Sequence, residues 1–171
     1  FSTFSHIFEA HGQVPGEFRG GFGLQTIHGI PKPVYRAFEL MHQLGEERLP
    51  KVEEQGHVGI CPIVDKEGSL AILVYNQEMI GKSVSEEKVE IHIKNAPGKK
   101  AEIQRIDDNH ANAKKQWEEM GCPTYPTPAQ VKELKEASEL KTEELPVKVE
   151  GEEAVLEFAL PAYGVALIKL V

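Results

Sequence analysis

The chain has 171 residues, 40% of them hydrophobic, which is enough apolar content for one or two domains with a real core. Twenty-seven acidic side chains against nineteen basic ones leave a net charge of −8, so no basic stripe exists to neutralise nucleic acid or an anionic membrane surface. No apolar run approaches the roughly 20 residues of a membrane-spanning helix.

The first 45 residues predict a strand–turn–helix piece. Residues 4–8 read as a strand, and Gly20-Gly21-Phe22-Gly23-Leu24 as another whose glycines let other backbone or a ligand come close. Ile30-Pro31-Lys32-Pro33 is a breaker that ends in a proline suited to the first helical position. Val34, Ala37, Phe38, Met41 and Leu44 then repeat at helical spacing, and Gly45 supplies a stop. The spacing predicts that this face turns toward the strand holding Phe22 and Leu24. One strand–helix unit cannot bury such a face by itself. The expectation is therefore a piece of a larger barrel, completed by a partner or cut from a longer enzyme. Phe1 in place of an initiator methionine fits that expectation and leaves the lack of a leader uninformative.

Beyond a charged connector at 46–55, the period changes to that of strands. Two apolar runs, 58–64 and 70–75, flank the hairpin tetrad Asp65-Lys66-Glu67-Gly68. Val89-Glu90-Ile91-His92-Ile93 alternates strictly, and so does Ala101-Glu102-Ile103-Gln104-Arg105-Ile106 after the turn Asn95-Ala96-Pro97-Gly98. Residues 109–120 have helical composition, stopped by Gly121. Thr127-Pro128-Ala129-Gln130 is a capping box that opens a second helix, with Val131, Leu134, Ala137 and either Leu140 or Ser138 as its buried stripe. Trp117, Tyr125, Pro123, Pro126 and Pro128 read as the apolar lock of this excursion, with a sugar-stacking platform as the alternative. Strands resume at 145–149, 154–160 and 165–171. The chain is thus expected to be an α+β fragment. Its parts are the last strand–helix unit of a barrel (1–45), the first part of an antiparallel β-sandwich (46–107), a helical insertion (108–142) and the rest of the sandwich (143–171).

Specific wording carries a resemblance. Thr3-Phe4-Ser5-His6-Ile7-Phe8-Glu9, Phe18-Arg19-Gly20-Gly21-Phe22-Gly23-Leu24, Ile30-Pro31-Lys32-Pro33 and Ala37-Phe38 resemble the end of the catalytic (β/α)8 TIM barrel of family 39 glycoside hydrolases. Within that family the wording is most similar to the bacterial β-xylosidases. Arg105-Ile106-Asp107-Asp108, His110, Trp117, Met120-Gly121, Pro123, Tyr125-Pro126 and Gln130-Val131 follow the family's order beyond the barrel. The resemblance implies a retaining enzyme that releases terminal xylose from xylo-oligosaccharides without a cofactor. It places both catalytic glutamates on earlier barrel strands, so that no catalytic residue is assigned in this chain and the chain alone is expected to be inactive.

It also implies that Glu9 borders the sugar pocket; Phe4 and Arg19 are further candidate substrate-binding residues, Arg19 standing where a histidine is frequent in the family. Read from position alone, Glu9 is either a sugar contact or a solvated loop carboxylate, and Arg19 either faces the pocket mouth or is a surface arginine. Two departures from the family are Phe1-Ser2, where a Tyr-Trp pair usually precedes Thr-Phe-Ser, and Ala10, where a second glutamate is common. An α-L-iduronidase-like enzyme is a rival reading, for which only Arg19 is available to meet a uronate. A non-catalytic sandwich module that binds carbohydrate or mediates assembly is another. It calls for an exposed aromatic row, whereas the strands are mostly aliphatic and aromatics total 7%.

Seven histidines are scattered along the chain. His6 and His11 with Glu9 between them are the nearest approach to a ligand set, but no single rigid element holds all three, so no metal is expected. His28, His42, His57, His92 and His110 read as surface or capping residues, and the acidic pairs 53–54, 86–87 and 118–119 as solvated faces. Cys61 and Cys122 are lone thiols that suit a reducing compartment, hence a cytoplasmic location. The expected partners are a xylo-oligosaccharide and the remainder of the barrel, in the same or another chain, with no nucleic acid and no membrane. A homo-oligomer is also open to it.

Overall fold

The computed structural model describes residues 17–18, 23–50, 56–79, 81–96 and 98–170. They fall into two units, one made of residues 1–39 with 108–140 and the other of residues 40–107 with 141–171. The second unit is all antiparallel sheet. Its strands are β1 (Glu47–Arg48), β2 (Val58–Val64), β3 (Leu70–Asn76), β4 (Glu87–Lys94), β5 (Ala101–Ile106), β6 (Thr142–Leu145), β7 (Val147–Glu150), β8 (Glu153–Leu160) and β9 (Val165–Leu170). One sheet has the order β1-β2-β3-β9-β5-β6 and the other β4-β8-β7.

Alternation produces this arrangement. In β4, Val89 and Ile91 are buried between the exposed Glu90 and His92. These two join Leu156 and Leu160 of β8, Ile72 and Val74 of β3, Ile103 of β5 and Ile168 of β9 in one apolar core that both sheets share. Full burial of each such side chain contributes about 1.5–3 kcal/mol. The β2–β3 turn is set by Asp65, whose carboxylate accepts from the backbone N–H groups of Glu67 (3.0 Å) and Ser69 (2.8 Å), while Gly68 takes φ +86°. Pro62 is tolerated inside β2 because only the two-residue β1 lies beyond it, and its carbonyl accepts from the Leu49 N–H at 3.0 Å.

At the end of β3, Asn76 is 1% exposed. Its Nδ2 donates to the carbonyls of Ser85 (2.7 Å), Leu160 (3.1 Å) and Pro161 (3.2 Å), and its backbone N–H to that of Gly164 at 3.0 Å. One amide thus ties the end of β3 to the segment before β4 and to the β8–β9 turn. In that turn Tyr163 adopts φ +59° and is 68% exposed.

Several expectations need correction. Residues 145–149 are not one strand. Pro146, which has no N–H to give to a ladder, separates β6 in the larger sheet from β7 in the smaller. Gly45 does not end the helix that precedes it. That helix, α1 (Pro33–Met41), stops earlier, and Gly45 is needed because a Cβ there would lie 2.4 Å from the carbonyl oxygen of Val64. Part of the apolar stripe of α1 is exposed, as expected of a strand–helix unit that cannot bury such a face by itself, and Phe22, toward which the face is predicted to turn, lies outside the described residues. Val34, Phe38 and Met41 are 47%, 55% and 46% exposed, and the buried residue is Leu40. Helical periodicity locates an apolar face but does not supply what covers it.

The first unit holds the other two helices, α2 (Lys114–Glu119) and α3 (Pro128–Ala137). The capping box of α3 forms as predicted. Thr127 Oγ1 accepts from the Gln130 N–H, and the Gln130 side chain accepts from the Thr127 N–H at 2.9 Å. The helix expected over 109–120 is shorter, because Ala111 takes φ +51° ahead of it. Trp117, Ala113, Leu134 and Ile30 are buried together, with Phe18, Met120, Cys122, Val131 and Ala137 packed against them. Ser138 completes the stripe of α3. Trp117 Nε1 donates to the Pro123 carbonyl at 3.1 Å and Pro126 is buried, but Tyr125 is 85% exposed and so stands outside the expected lock. No helix of the described residues is long and apolar enough to cross a membrane.

Candidate functional site

The predicted sugar contacts Phe4, Glu9 and Arg19 lie outside the described residues, as do His6 and His11. What the structure describes is the framework directly around them in sequence. Gly23 and Leu24 are not in a strand. Gln25 instead forms an isolated antiparallel bridge with Pro31. The Thr26 N–H donates to the Ile30 carbonyl at 2.9 Å, the Ile30 N–H to Thr26 Oγ1 at 3.2 Å, and the Lys32 N–H to the Leu24 carbonyl at 3.0 Å. Gly29, at φ +71°, lets this hairpin turn.

At the hairpin's tip His28 meets Glu17. The Glu17 carboxylate is fully buried, with Oε1 bonded to His28 Nδ1 and Oε2 lacking a hydrogen-bond partner among the described residues. A buried carboxylate needs such a partner, because desolvating an unpaired one is strongly unfavourable. Beside it, Phe18 has φ +51°, a left-handed conformation that costs an L-residue about 1–2 kcal/mol. Its ring lies 5.8 Å from that of Trp117 at a 53° tilt, the edge-to-face range in which aromatic pairs attract. Sequence reasoning missed Glu17. It also used Phe18 only as part of a motif, and a loop glutamate beside a phenylalanine carries no local signal of burial. Further along, Arg36 of α1 donates through Nε to the Ser138 carbonyl (2.6 Å) and through Nη2 to Ser138 Oγ (3.2 Å), capping α3. Its Nη1 bonds Glu39 at 2.7 Å.

The β unit holds a shallow polar cleft lined by Gln43, Glu102, Gln104, Thr142, Leu167 and Lys169. Its groups satisfy one another in a single direction. Lys169 Nζ donates to Gln43 Oε1 (2.9 Å), Gln43 Nε2 to Gln104 Oε1 (3.0 Å), and Gln104 Nε2 to Thr142 Oγ1 (3.0 Å). On the outer face of the smaller sheet, Glu90 (2.6 Å) and Glu153 (3.2 Å) bond the two nitrogens of His92 and raise its pKa. The ammonium of Lys148, 2.6 Å from Glu157, holds that carboxylate below its usual range. Backbone N–H donors do the same, Ser69 to Asp65 and Met79 to Glu78. A glycosidase acid needs the opposite shift, which none of Glu157, Asp65 and Glu78 shows. His57 bonds Glu78 at 2.6 Å, and His42 is exposed. No cluster among the described residues is able to hold a metal ion, and Cys61 and Cys122 are free thiols.

Comparison with known proteins identifies the framework. A β-xylosidase from Caldicellulosiruptor saccharolyticus is 38% identical over 145 residues, covering 84% of this chain and 30% of that protein. A β-xylosidase from Geobacillus stearothermophilus is 32% identical over 136 residues, or 79% of this chain and 26% of its own length. Among solved structures, a family 39 β-xylosidase from Caulobacter crescentus superposes with a TM-score of 0.71 at 25% identity, over 92% of this chain and 31% of that one. This sequence therefore spans less than a third of the length of these relatives. Residues 1–154, which take in α1, α2, α3, β1 to β7 and the first two residues of β8, match the family described as glycosyl hydrolases family 39, and the chain belongs to that family.

Proposed function

We propose that this chain is the C-terminal portion of a retaining β-xylosidase, contributing the last strand–helix unit of the barrel, an antiparallel sandwich and the helical excursion between its strands. The observation that carries the reading is the 38% identity to a β-xylosidase over 84% of the chain. The exposed face of α1 supports it. Val34, Phe38 and Met41 form an apolar stripe of the kind a barrel helix turns toward its neighbours. In this reading the remainder of the barrel is the partner that covers the stripe.

Retaining hydrolysis needs two carboxyl groups about 5–5.5 Å apart, one as acid/base and one as nucleophile. Both are assigned to barrel strands outside this sequence. Here Glu9 accepts hydrogen bonds from sugar hydroxyls, with Phe4 and Arg19 lining the same pocket. Losing a hydrogen bond to a charged group costs about 1.5–3 kcal/mol, roughly ten- to a hundredfold in kcat/KM.

The test is hydrolysis of an aryl β-xyloside by the complete enzyme, by its Glu9→Ala variant and by this chain alone. The expected results are turnover with retained anomeric configuration, a ten- to hundredfold loss, and none. An enzyme that cleaves aryl α-L-iduronides and ignores xylosides refutes the substrate class. Turnover by the chain alone refutes the assignment of both glutamates elsewhere.

A further inference from the structure

We propose that β4 is a docking edge for a second copy of the chain, the two β4 strands pairing antiparallel about a two-fold axis at Ile91, so that Glu90 of each copy faces His92 of the other. The proposal goes beyond the β-xylosidase reading and does not depend on it, since it concerns one edge of the β unit and is tested by association.

Four strands end the two sheets, β1 and β6 in the larger, β4 and β7 in the smaller. Three are short, with two residues in β1 and four each in β6 and β7, which is one way to blunt an edge. β4 has eight, with no proline among them. Its register with β8 runs without a bulge, from Glu87 opposite Leu160 to Lys94 opposite Glu153. Its lysines are engaged within their own sheet, Lys88 3.7 Å from Glu157 and Lys94 3.8 Å from Glu153. Val89, Ile91 and Ile93 face the core, so no charge points inward to repel another strand.

The direction of the backbone groups follows from Asn95, whose N–H reaches the Glu152 carbonyl at 3.4 Å in line with that register. Directly opposed residues of an antiparallel pair alternate between bonded and unbonded. Glu87, Val89, Ile91 and Ile93 therefore bond β8, and Lys88, Glu90, His92 and Lys94 turn their N–H and C=O groups to the open edge. Among the described residues these groups have no backbone partner. A two-fold axis at Ile91 sets all four residues against one another, Lys88 opposite Lys94 and Glu90 opposite His92. It also places Lys94 of the other copy on the diagonal from Glu90, and continues the apolar face by setting Val89 opposite Ile93. Moving the axis one residue either way sets Glu90 against Glu90 or His92 against His92, and leaves an end lysine without a strand partner. Charge and ladder thus select the same register. One strand per copy makes a small seam, so the dimer is a weak one.

The experiment is sedimentation velocity of the complete enzyme over a concentration series, with thermal unfolding to show that each variant folds. The expected result is a monomer–dimer equilibrium with a dissociation constant in roughly the micromolar range. Glu90→Lys and His92→Glu, both at exposed positions, should each raise that constant about tenfold or more, because each replaces two facing attractions with repulsions. An equimolar mixture of the two variants should associate as wild type does, since the altered positions then face each other with opposite charge. His92→Pro should abolish the dimer and leave the fold intact, because that N–H points away from β8. Glu150→Lys, on the opposite edge strand β7, should change nothing. Amide exchange over residues 87–94 should slow as the concentration of wild type rises. If Glu90→Lys fails to fold, His92→Pro and the exchange measurement decide. A protein monomeric throughout the series, or a dimer that Glu90→Lys and His92→Pro leave intact, overturns the proposal. A mixture that stays dissociated overturns the pairing about Ile91. The β-xylosidase reading stands or falls separately, on xyloside hydrolysis.

Discussion

Asn76→Ala is expected to be the most damaging single truncation of a polar side chain in the β unit. Its Nδ2 faces three carbonyl oxygens, at 2.7, 3.1 and 3.2 Å, contributed by Ser85, Leu160 and Pro161. An amide has only two N–H hydrogens, so the equivalent of two full hydrogen bonds is lost, one hydrogen being shared between two of the three acceptors. At about 0.5–1.5 kcal/mol each, the bonds amount to about 1–3 kcal/mol. The carbonyls left without a donor in a site 1% exposed add to that, bringing the expected cost to about 2–4 kcal/mol. For a chain of this size, that lowers Tm by roughly 4–16 °C. Urea denaturation should show the loss in the midpoint with little change in m-value. Asn76→Asp is isosteric and should be worse at neutral pH, because it turns a carboxylate oxygen toward carbonyl oxygens. It should recover in acid, where the protonated carboxyl again donates. A loss below about 0.5 kcal/mol for Asn76→Ala, or an Asn76→Asp variant as stable as wild type at pH 7, would refute the clamp.

Arg36→Met should cost about 1.5–3 kcal/mol by removing charged hydrogen bonds from the end of α3, and Ser138→Ala distinctly less, since the Ser138 carbonyl remains in place. Thermal unfolding of both variants checks the order. Tyr163→Gly should stabilise by about 0.5–1 kcal/mol, because glycine relieves the φ of +59° at an exposed ring and offsets its own entropic cost. His92 titrates above its ordinary 6.5 because Glu90 and Glu153 bond it. Its contribution to stability is complete below that value and lost as pH rises through the folded pKa. Thermal stability should therefore decline slightly across that window, and His92→Gln should flatten this part of the pH profile.

What was legible in the sequence was what neighbours along the chain decide. Thr127-Pro128-Ala129-Gln130 fixes its own cap, Asp65 fixes its own turn, and alternation assigns Val89 and Ile91 to the core. The split at Pro146 was hidden because both flanks are strand formers, so the break shows only where two sheets claim them. The one residue that α1 does bury was hidden for a related reason. Leu40 is covered and Phe38 is not, and nothing within the helix distinguishes them. At the candidate site, the Glu17–His28 bond joins two loops through a hairpin whose geometry local propensity does not encode. The family wording names Phe4, Glu9 and Arg19, which lie outside the described residues, while the Glu17–His28 and Phe18–Trp117 contacts emerged only from tertiary packing.

The position of β9 has a kinetic consequence. It lies between β3 and β5, and without it the larger sheet is two separate pieces, β1-β2-β3 and β5-β6, with no ladder between them. During synthesis both inner edges wait for residues 165–170, each a row of unsatisfied N–H and C=O groups beside the apolar side chains of Ile72, Val74 and Ile103. At roughly 5–20 residues per second, the interval between completing β5 and delivering β9 lasts several seconds. For that time the nascent chain is a template for intermolecular pairing. Slow translation beyond residue 106 would lengthen the exposure.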